Sequence, residues 1–336
     1  MSFELRKLED VCDILDHMRI PITSRDRKEG PYPYYGANGI QDYIDDFIFD
    51  DELVLLAEDG GNFGSKEKPI AYRISGKTWV NNHAHVLKPK NIIDIDYLCY
   101  SLMYYDVSGL VNGATRQKLT QSEMRKINIR YRSLEKQRQM VFKIKLISNI
   151  ISSREHQLSN LNLLVKSRFI EMFGEPIKNS KGLPLIRLGD YCYLKAGVTT
   201  PADTIHEYSK EYNVPCYGGN GIRGYVKEAT QSGEYPIIGR QGALCGNVKL
   251  ATGIFHATEH AVLVKALRPA NTVWLYFMLM FMDLYRFHTG AAQPGLAVKT
   301  LNTILVPEAD VNLQNQFADF VAQVDKSKFV VTAKFQ

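Results

Sequence analysis

Two groups of side chains in this sequence have residue types that bind metal ions. The segment 42–52 holds six carboxylates in eleven residues, and such a cluster could chelate Mg²⁺ as in a metal-dependent nuclease. His83 and His85 lie on alternate residues and could ligate a transition metal. A run of acids is usually one solvated face of a strand, and no Cys or His lies at ligand spacing from the histidines. Solvation is therefore the favoured role of the acids, and packing or hydrogen bonding that of the histidines.

Two glycine-rich segments have spacings that occur in nucleotide-binding loops. Gly219–Gly224 fits the pattern GxGxxG, but the residues from Tyr225 onward have the composition of a strand, whereas a dinucleotide site needs a helix there. The segment 60–66 lacks the Gly-Lys-Ser/Thr order of a phosphate loop. The first segment is predicted to be a turn, and the second is not predicted to bind phosphate. The sequence also lacks an adenine-methylation motif and a nucleophile elbow, so no catalytic site and no bound cofactor are predicted.

Composition excludes several classes of protein. The chain has 336 residues, of which 45% are apolar and 23% charged, as in ordinary globular proteins of about two domains. No apolar run approaches the roughly 20 residues of a membrane span, and the richest run, at 273–282, predicts a buried helix. The first ten residues lack the apolar stretch of a signal peptide. The five cysteines never form CxxC, which disfavours a disulfide framework and a zinc knuckle. A cytoplasmic protein is expected.

The net charge of +5 is unevenly distributed. Between Arg116 and Lys145 there are ten basic and two acidic residues, a local charge of +8, so the rest of the chain sums to −3. A basic segment on a nearly neutral protein is typical of polyanion binding. A solvated basic helix face fits the charge pattern equally well.

The chain contains an internal repeat. The segment 35–44 returns as 217–226, with Tyr-Gly-x-Asn-Gly-Ile in both. Four further matches occur in the same order in both copies and at nearly the same offset. They are Leu8–Cys12 with Leu188–Cys192, Leu56–Gly60 with Ile238–Gly242, His83–Ala84 with His260–Ala261, and Gly113–Gln117 with Gly290–Pro294. Asn-Gly between aromatic and β-branched residues predicts a β-hairpin in each copy. The acidic run of the first copy has no counterpart in the second, which indicates two versions of one recognition domain with different targets.

A helical segment separates the copies. From Ser133 to Phe173 there is no Gly or Pro, and apolar residues recur at three- and four-residue steps. This pattern predicts one amphipathic helix of roughly 60 Å, with Ser133 as N-cap and Gly174 after its end. A shorter helical pattern covers 311–328, followed by a β-branched, poorly helical tail at 329–336. A helix this long needs a helical partner, so we expect the two helices to pack together.

In combination, these motifs resemble the specificity (S) subunit of type I restriction-modification systems. The second copy matches the family closely at four places: Tyr217–Ile222, Gly239–Gly242, Thr258–Ala261 and Thr289–Leu296. The first copy matches more loosely, at Glu58–Gly61 and Asn112–Leu119. The segments 134–137 and 172–174 fit the ends of the family's central helix. The resemblance covers almost the whole chain.

The resemblance implies an α+β fold. Two repeated β-rich globular target-recognition domains would be separated by a long helix that packs with a shorter C-terminal helix as an antiparallel coiled coil. The expected segments are a first domain at 1–130, a central helix for spacing and partner docking at 131–175, a second domain at 176–310 and a short C-terminal helical region at 311–336. The family's second helical region is usually about as long as the first, so the last segment is expected to be a natural short form or a truncated one.

The resemblance also implies a function. Each domain would read one half of a bipartite double-stranded DNA target, and the helices would set the distance between the halves. Modification subunits would methylate adenine with S-adenosylmethionine, and restriction subunits would join to cut. S-adenosylmethionine, ATP and Mg would thus belong to the partners, while this chain would hold no cofactor, catalyse nothing and contact no membrane.

The expected DNA-binding residues are polar residues of the repeated motifs. Lys and Arg position phosphates, while Arg and Gln are suited to the edges of guanine and adenine. The expected residues are Asn38, Gln41, Arg116, Gln117, Asn220, Arg223, Arg240, Gln241 and Gln293. The alternative for each is a role in forming the turn or the shared scaffold.

Two other functions remain open from the residues alone. A helical scaffold or dimerisation protein would explain the long helix but not the duplicated, divergent domains. A cryptic metal-dependent nuclease would explain the acidic run but not its absence from the second copy.

Overall fold

The structure is a computed structural model that describes residues 3–113, 116–290 and 294–332. The chain divides into two compact units, Met1–Ile151 and Ser152–Gln336. Each unit mixes helices with β-sheet and contains one copy of the repeat, which confirms the predicted fold class. The finer division into four segments stays a prediction.

The first unit begins with a β-rich region. Its strands are β1 (Glu4–Lys7), β2 (Cys12–Ile14), β3 (Glu29–Gly36), β4 (Gly39–Ile44), β5 (Phe49–Asp50), β6 (Leu53–Ala57), β7 (Ala71–Ile74), β8 (Lys77–Val80), β9 (Ala84–Pro89), β10 (Val111–Asn112), β11 (Lys118–Leu119) and β12 (Asn128–Tyr131). Its helices are α1 (Leu8–Val11), α2 (Ile95–Met103) and α3 (Gln121–Arg125), followed by the start of α4 (Leu134–Phe173).

The second unit contains the end of α4 and the second copy. Its strands are β13 (Leu185–Arg187), β14 (Cys192–Ala196), β15 (Val214–Gly218), β16 (Gly221–Val226), β17 (Gln231–Gly239), β18 (Val248–Ala257), β19 (Ala261–Ala266) and β20 (Leu305–Pro307). Its remaining α-helices are α5 (Leu188–Tyr191), α6 (Thr272–Phe281), α7 (Val298–Thr303) and α8 (Val311–Thr332).

The two copies share one strand order. The second copy has a six-stranded sheet in the order β14-β19-β17-β18-β15-β16, and the first has two four-stranded sheets, β2-β9-β6-β7 and β4-β3-β8-β5. The orders coincide when β18 is matched to β7 followed by β8. Gly76 between β7 and β8 and Gly253 within β18 occupy equivalent positions of the repeat, with φ of 72° and 80° respectively. A glycine in the left-handed conformation thus lies within the single strand β18 of the second copy and separates the two strands β7 and β8 of the first.

One helix packs on a β-sheet in each unit. In the first unit, Leu98 and Leu102 of α2 are fully buried against β6 and β7. In the second, Trp274 and Met278 of α6 are fully buried against β17 and β18, which confirms the buried helix expected from the apolar run. Burial of each such side chain contributes about 1.5–3 kcal/mol, so these helices anchor the sheets.

The long central helix forms as predicted. α4 runs without interruption from Leu134 to Phe173. The carbonyl of Ser133 accepts the first helical hydrogen bond from Gln137 at 3.0 Å. Gly174 follows the helix with a φ of 78°, the left-handed conformation that commonly ends helices.

The C-terminal helix packs antiparallel to the second half of α4. Near one end, the rings of Phe173 and Phe317 lie 5.8 Å apart. Farther along, Arg168 lies over the ring of Phe320 at 5.8 Å. A groove then joins Ser159 of α4 to residues 325–328 of α8. Residue numbers fall along one helix as they rise along the other, as expected from the family resemblance.

The end of α8 differs from the prediction. The sequence predicts poor helicity from residue 329 onward, yet α8 continues to Thr332. Extending an existing helix by a β-branched residue costs only about 0.5 kcal/mol, whereas starting a helix there would cost far more. The hydroxyl of Thr332 also donates to the carbonyl of Lys328 at 3.1 Å.

The repeat extends from the sheets into the two long helices. Gln137 of α4 and Gln314 of α8 occupy equivalent positions of the repeat, and both are buried. Their side-chain oxygens accept the backbone N–H of Asp94 and of Asn271, each at 2.8 Å. Asp94 and Asn271 are the N-caps of α2 and α6. In each unit, a buried glutamine therefore ties the long helix to the start of the helix that covers the sheet.

The five cysteines are buried and unpaired. Burial raises the pKa of Cys12 and of Cys192 to about 12. These thiols are apolar packing groups, in keeping with the predicted lack of a disulfide framework.

Candidate nucleic-acid interface

The hairpin of the first unit places Asn38 at its turn. Ala37 and Asn38 form the turn between β3 and β4, one residue earlier than the predicted Asn-Gly pair, and Gly39 has a φ of 112°. The Asn38 side chain is exposed, and its Nδ2 donates to the carbonyl of Gly60 at 2.9 Å. Its Oδ1 accepts from Asn62 at 3.1 Å. Asn38 therefore ties the hairpin turn to the loop after β6.

Gln41 lies on the exposed side of β4. Its Oε1 accepts a hydrogen bond from Nδ2 of Asn81 at 2.9 Å. The Oδ1 of Asn81 accepts from the backbone N–H of His83 at 2.8 Å, and this bond fixes which end of the Asn81 amide faces Gln41. The amide nitrogen of Gln41 is left pointing away from this contact.

Arg116 joins the same surface through an acid. Its guanidinium donates to Oδ1 of Asp59 at 2.8 Å, and that oxygen also contacts Nδ1 of His83 at 2.6 Å. Gln117 is exposed beside it. The predicted residues Asn38, Gln41 and Arg116 are thus brought together by hydrogen bonds to neighbouring loops. We call the segments 38–41, 59–62, 81–83 and 116–118 the hairpin surface of the first unit.

A buried charge cluster lies beneath this surface. Nδ1 of His85 contacts Asp16 at 2.6 Å and its Nε2 contacts the carbonyl of Leu119 at 2.8 Å, so both ring nitrogens face acceptors. Glu58 accepts from Arg19 at 2.6 Å and from Lys118 at 2.9 Å. The cluster holds the ends of β9 and β11 together below the exposed residues.

The buried cluster controls the protonation of Asp16. Burial by itself raises the pKa of this carboxyl, but the hydrogen bond and charge of His85 and the bonds from Gln121 and the Val86 N–H outweigh it. The pKa of Asp16 is therefore held below its ordinary value.

Asp16, Glu58 and His85 are also the group in the described residues whose atoms could converge on a metal ion. Each of these side chains already contacts a protein group, and the cations Arg19 and Lys118 occupy the Glu58 carboxylate. A divalent cation would have to displace both, so the group is better explained as an ion-pair network. His85 is buried and hydrogen-bonded through both ring nitrogens, in agreement with the expected packing or hydrogen-bonding role.

Within the described part of the chain, no three acids of the run lie close enough together to share one ion. Three of its six acids bond separate basic residues: Asp42 pairs with Arg27, Asp51 with Lys88 and Glu52 with Arg73. These pairs lie along the segment rather than around one point, as expected for a solvated strand face.

The hairpin of the second unit repeats this geometry with different partners. Gly219 and Asn220 form the turn, and Gly221 has a φ of 102°. The Asn220 side chain is exposed and accepts a hydrogen bond from Nδ2 of Asn247. A Cβ placed on Gly219 would lie 3.0 Å from the Cα of Gly239, so the turn packs directly on the end of β17.

Arg223 and Arg240 are the predicted cations of the second surface. Arg223 is exposed, and none of the residues described here forms an ion pair with it. The backbone of Arg240 is fixed on both sides, donating to the His260 carbonyl at 3.1 Å and accepting from Leu296 at 2.8 Å. Its Nε is buried without a hydrogen-bond partner among the described residues. We call the segments 218–224, 239–242, 258–260 and 294–296 the hairpin surface of the second unit.

Gln241 lies next to Arg240 on this surface. Its side chain is exposed, and its backbone forms an isolated bridge with Gly295. The last predicted residue, Gln293, lies outside the described residues.

The two surfaces differ in charge at equivalent places. Glu58 and Asp59 of the first unit correspond to Arg240 and Gln241 of the second in the repeat. The first surface therefore neutralises its own Arg116 and Lys118, whereas the second carries no acid at these two places. The basic segment 116–145 is likewise partly neutralised, since at least five of its ten cations form ion pairs: Arg116, Lys118, Arg125, Lys126 and Lys145.

Sequence reasoning did not identify the residues that orient the predicted ones. Asn62, Asn81 and Asn247 each bond a predicted residue, yet none belongs to a motif shared by both copies. Asn81 could have been noticed because it closely precedes the repeated His83–Ala84 match. Asp16 and Arg19 gave no signal, since Glu58 and His85, with which they bond in the buried cluster, lie 39 and 69 residues away.

Comparison with known proteins finds a family that matches the first part of the chain. Residues 2–163 match the family described as "Type I restriction modification DNA specificity domain". This part of the chain is similar to the type I restriction-modification specificity family. This confirms the resemblance of the repeated motifs.

Two curated relatives are similar to this chain in sequence. The EcoprrI type I restriction enzyme specificity subunit of Escherichia coli is 44% identical over 139 residues, which cover 41% of this chain and 35% of that protein. The putative type I restriction enzyme specificity subunit S.HindORF215P of Haemophilus influenzae is 31% identical over 191 residues, which cover 56% of this chain and 49% of that protein. The chain thus spans less than half the length of each of these relatives in the matched regions.

A solved structure shares the fold of this chain. The type I restriction-modification system S subunit from M. genitalium superposes with a TM-score of 0.66 at 14% identity, covering 99% of this chain and 92% of that one. Among the described residues, we find no helix with both the length and the hydropathy of a membrane span.

Proposed function

We propose that this chain is the DNA sequence-recognition subunit of a type I restriction-modification complex, and that each unit reads one half of a bipartite double-stranded target. One observation carries the proposal. The two units keep the same strand order and the same turn asparagine, while polar residues at equivalent places of the repeat differ, as Glu58–Asp59 and Arg240–Gln241 do. Two readers of one asymmetric sequence need this combination of a shared scaffold and divergent side chains.

The predicted residues of the two hairpin surfaces contribute to DNA binding in different ways. Arg223 and Arg240 have no acid paired with them among the described residues, so they can contact phosphates or guanine. Arg116 is already paired with Asp59, and its contribution to phosphate binding is correspondingly reduced. Asn38 and Asn220 act mainly on the turns, because their side chains are bound to neighbouring loops.

The exposed apolar residues of α4 support docking of partner proteins. Phe142, Leu146 and Ile150 follow one another at four-residue steps on one face of α4 and are 67%, 48% and 43% exposed. An exposed apolar row of this kind marks an interaction surface. We assign it to modification subunits that methylate adenine with S-adenosylmethionine. Restriction subunits would add ATP- and Mg-dependent cleavage. The chain itself would be non-catalytic, hold no cofactor and act in the cytoplasm.

The competing functions have weaker support. A metal-dependent nuclease would use the acidic run, whose members Asp42, Asp51 and Glu52 are paired with separate cations. A helical scaffold would use α4 alone and would have no use for two divergent hairpin surfaces.

Methylation mapping tests the proposal. Cells that express the cognate modification subunit, with and without this chain, are compared by sequencing that detects N6-methyladenine. We expect one bipartite motif, with a fixed spacer, that appears only when the chain is present. Methylation at an unbroken motif, or methylation that does not depend on the chain, would contradict the proposal.

A further inference from the structure

The two hairpins contain the same β-bulge. In the first unit, Tyr34 pairs with Asp42 and Tyr35 with Ile40, so Gln41 is the extra residue of β4. In the second, Cys216 pairs with Gly224 and Tyr217 with Ile222, so Arg223 is the extra residue of β16. A bulge redirects the side chain of its extra residue and often lies next to a functional site.

Each bulged side chain extends across a glycine of the neighbouring strand. A Cβ on Gly36 would clash with Nε2 of Gln41, and a Cβ on Gly218 would lie 2.9 Å from Cδ of Arg223. Neither glycine has a positive φ, so the backbone does not require glycine at these positions. The space above the strand requires it, because the bulged side chain lies there.

The strand that carries this glycine, β3 or β15, receives the same backbone hydrogen bond in both units. The backbone N–H of Asn81 donates to the Tyr35 carbonyl at 3.0 Å, and that of Thr258 donates to the Tyr217 carbonyl at 2.9 Å. Gln41 and Arg223 therefore occupy the same position of the same backbone arrangement. What differs between them is the chemistry of the exposed end.

The exposed ends match different bases. The backbone N–H of His83 donates to Oδ1 of Asn81 and so orients the Asn81 amide, whose Nδ2 donates to Oε1 of Gln41. No other described residue bonds the Gln41 amide, so one acceptor lone pair and two N–H donors remain, the set that pairs with N6 and N7 of adenine in the major groove. The guanidinium of Arg223 offers two parallel donors, which match O6 and N7 of guanine.

We propose that the bulged residue is the specificity-determining residue of each hairpin, with Gln41 reading an adenine in one half-site and Arg223 a guanine in the other. This inference rests on the proposed function. It adds that the two side chains can be exchanged, because in each hairpin the bulged side chain lies above a glycine of the neighbouring strand.

Exchange of the two side chains tests the inference in the assembled methyltransferase. Gln41→Arg should replace one adenine by guanine in a single half-site, and Arg223→Gln should do the reverse in the other half-site. The ratio of methylation rates on the two sites should change about 10- to 100-fold, while the second half-site and the spacer stay the same. Arg187→Gln, an exposed arginine on β13, is the matched control and should leave the motif unchanged.

Gly36→Ala provides a second, independent variant. The new methyl group would displace the flexible end of Gln41 rather than backbone, so the fold should persist. Discrimination should be lost at the same base pair that Gln41→Arg changes.

The outcomes separate this inference from the proposed function. If the wild type gives a bipartite motif but Gln41→Arg and Arg223→Gln leave it unaltered, the inference is wrong and the proposed function stands. Loss of methylation by folded variants without a changed motif would also overturn the inference, since it would make these residues phosphate contacts. If the wild type gives no bipartite motif, the proposed function fails.

Discussion

Asp16 carries a buried carboxylate that is hydrogen-bonded on several sides. Its carboxylate is bonded to His85, Gln121 and the Val86 N–H, and its side chain is only 3% exposed. Removing one member of a buried ionic network leaves the others uncompensated, which costs about 3–5 kcal/mol. We therefore expect Asp16→Asn to lower the free energy of unfolding of the first unit by about this amount, measured by denaturant titration at neutral pH.

The pH dependence of stability provides the control for Asp16. Its pKa is lowered in the folded state, so the stability it contributes is present above the unfolded pKa, near 4, and is lost as pH falls through the lower folded pKa. Asp16→Asn should flatten the stability profile below about pH 4. An equally steep acid loss in the variant would show that other carboxylates govern it.

Arg240 and Arg116 make a matched pair for DNA binding. Arg240 has no acid partner among the described residues, whereas Arg116 is held by Asp59. If Arg240 contacts a phosphate, Arg240→Gln should reduce the slope of log K against log salt by about 0.9. Arg116→Gln should change the slope less. Fluorescence anisotropy of the assembled complex on target DNA measures both, and equal slopes for the two variants would count against the assignment.

At the residue scale, sequence reasoning identified the exposed motif residues but not their supports. The repeated Asn-Gly and Gly-Arg-Gln-Gly motifs are local and could be seen by self-comparison. The bulge at Gln41 depends on the register between β3 and β4, and the Asn81 contact depends on a parallel pairing with β8. Neither relation is visible in one sequence, because pairing partners are set by the tertiary fold.

At the scale of elements, the two long helices are equivalent but differently covered. Phe317 of α8 and Met140 of α4 occupy equivalent positions of the repeat, and Phe317 is fully buried whereas Met140 is 39% exposed. The rings of Phe169, Phe173 and Phe277 surround Phe317. Phe317→Ala should therefore cost about 3–5 kcal/mol of unfolding free energy, and Met140→Ala markedly less.

Thermal or denaturant unfolding of both variants checks this difference. The comparison uses equivalent positions of the repeat, so it isolates the contribution of the second half of α4 as a cover for α8. Equal losses would mean that Met140 is covered to the same degree as Phe317.

Helix boundaries were the part of the fold best predicted from sequence. The start of α4 after Ser133 and its end before Gly174 follow from local capping chemistry. The end of α8 was misplaced because residues 329–332 follow a helix that already exists. The buried glutamines Gln137 and Gln314 were not predicted as tertiary contacts, since buried glutamine has no sequence signature.

At the scale of the whole molecule, the proposed function makes α4 a ruler between half-sites. Insertion of seven residues after Ser153 adds roughly 10 Å of helix and nearly preserves its apolar face. We expect unchanged half-sites and a spacer longer by about three base pairs, at about 3.4 Å per pair. Methylation mapping of the insertion variant gives the spacer directly.

A two-residue insertion at the same place is the control. It adds little length but rotates the following residues by roughly 200°, so specific methylation should disappear. An unchanged spacer after the seven-residue insertion would mean that the partner subunits, rather than α4, set the distance.

Exchange of one recognition domain tests the central claim most directly. Residues 183–310 are replaced by the matching region of a relative with a known target, and methylated motifs are mapped in cells that contain the cognate modification subunit. If each unit reads one half of the target, one half-site should change to that of the relative, while the other half-site and the spacer remain. A change in both half-sites, or in neither, would contradict the claim that the two units read DNA independently.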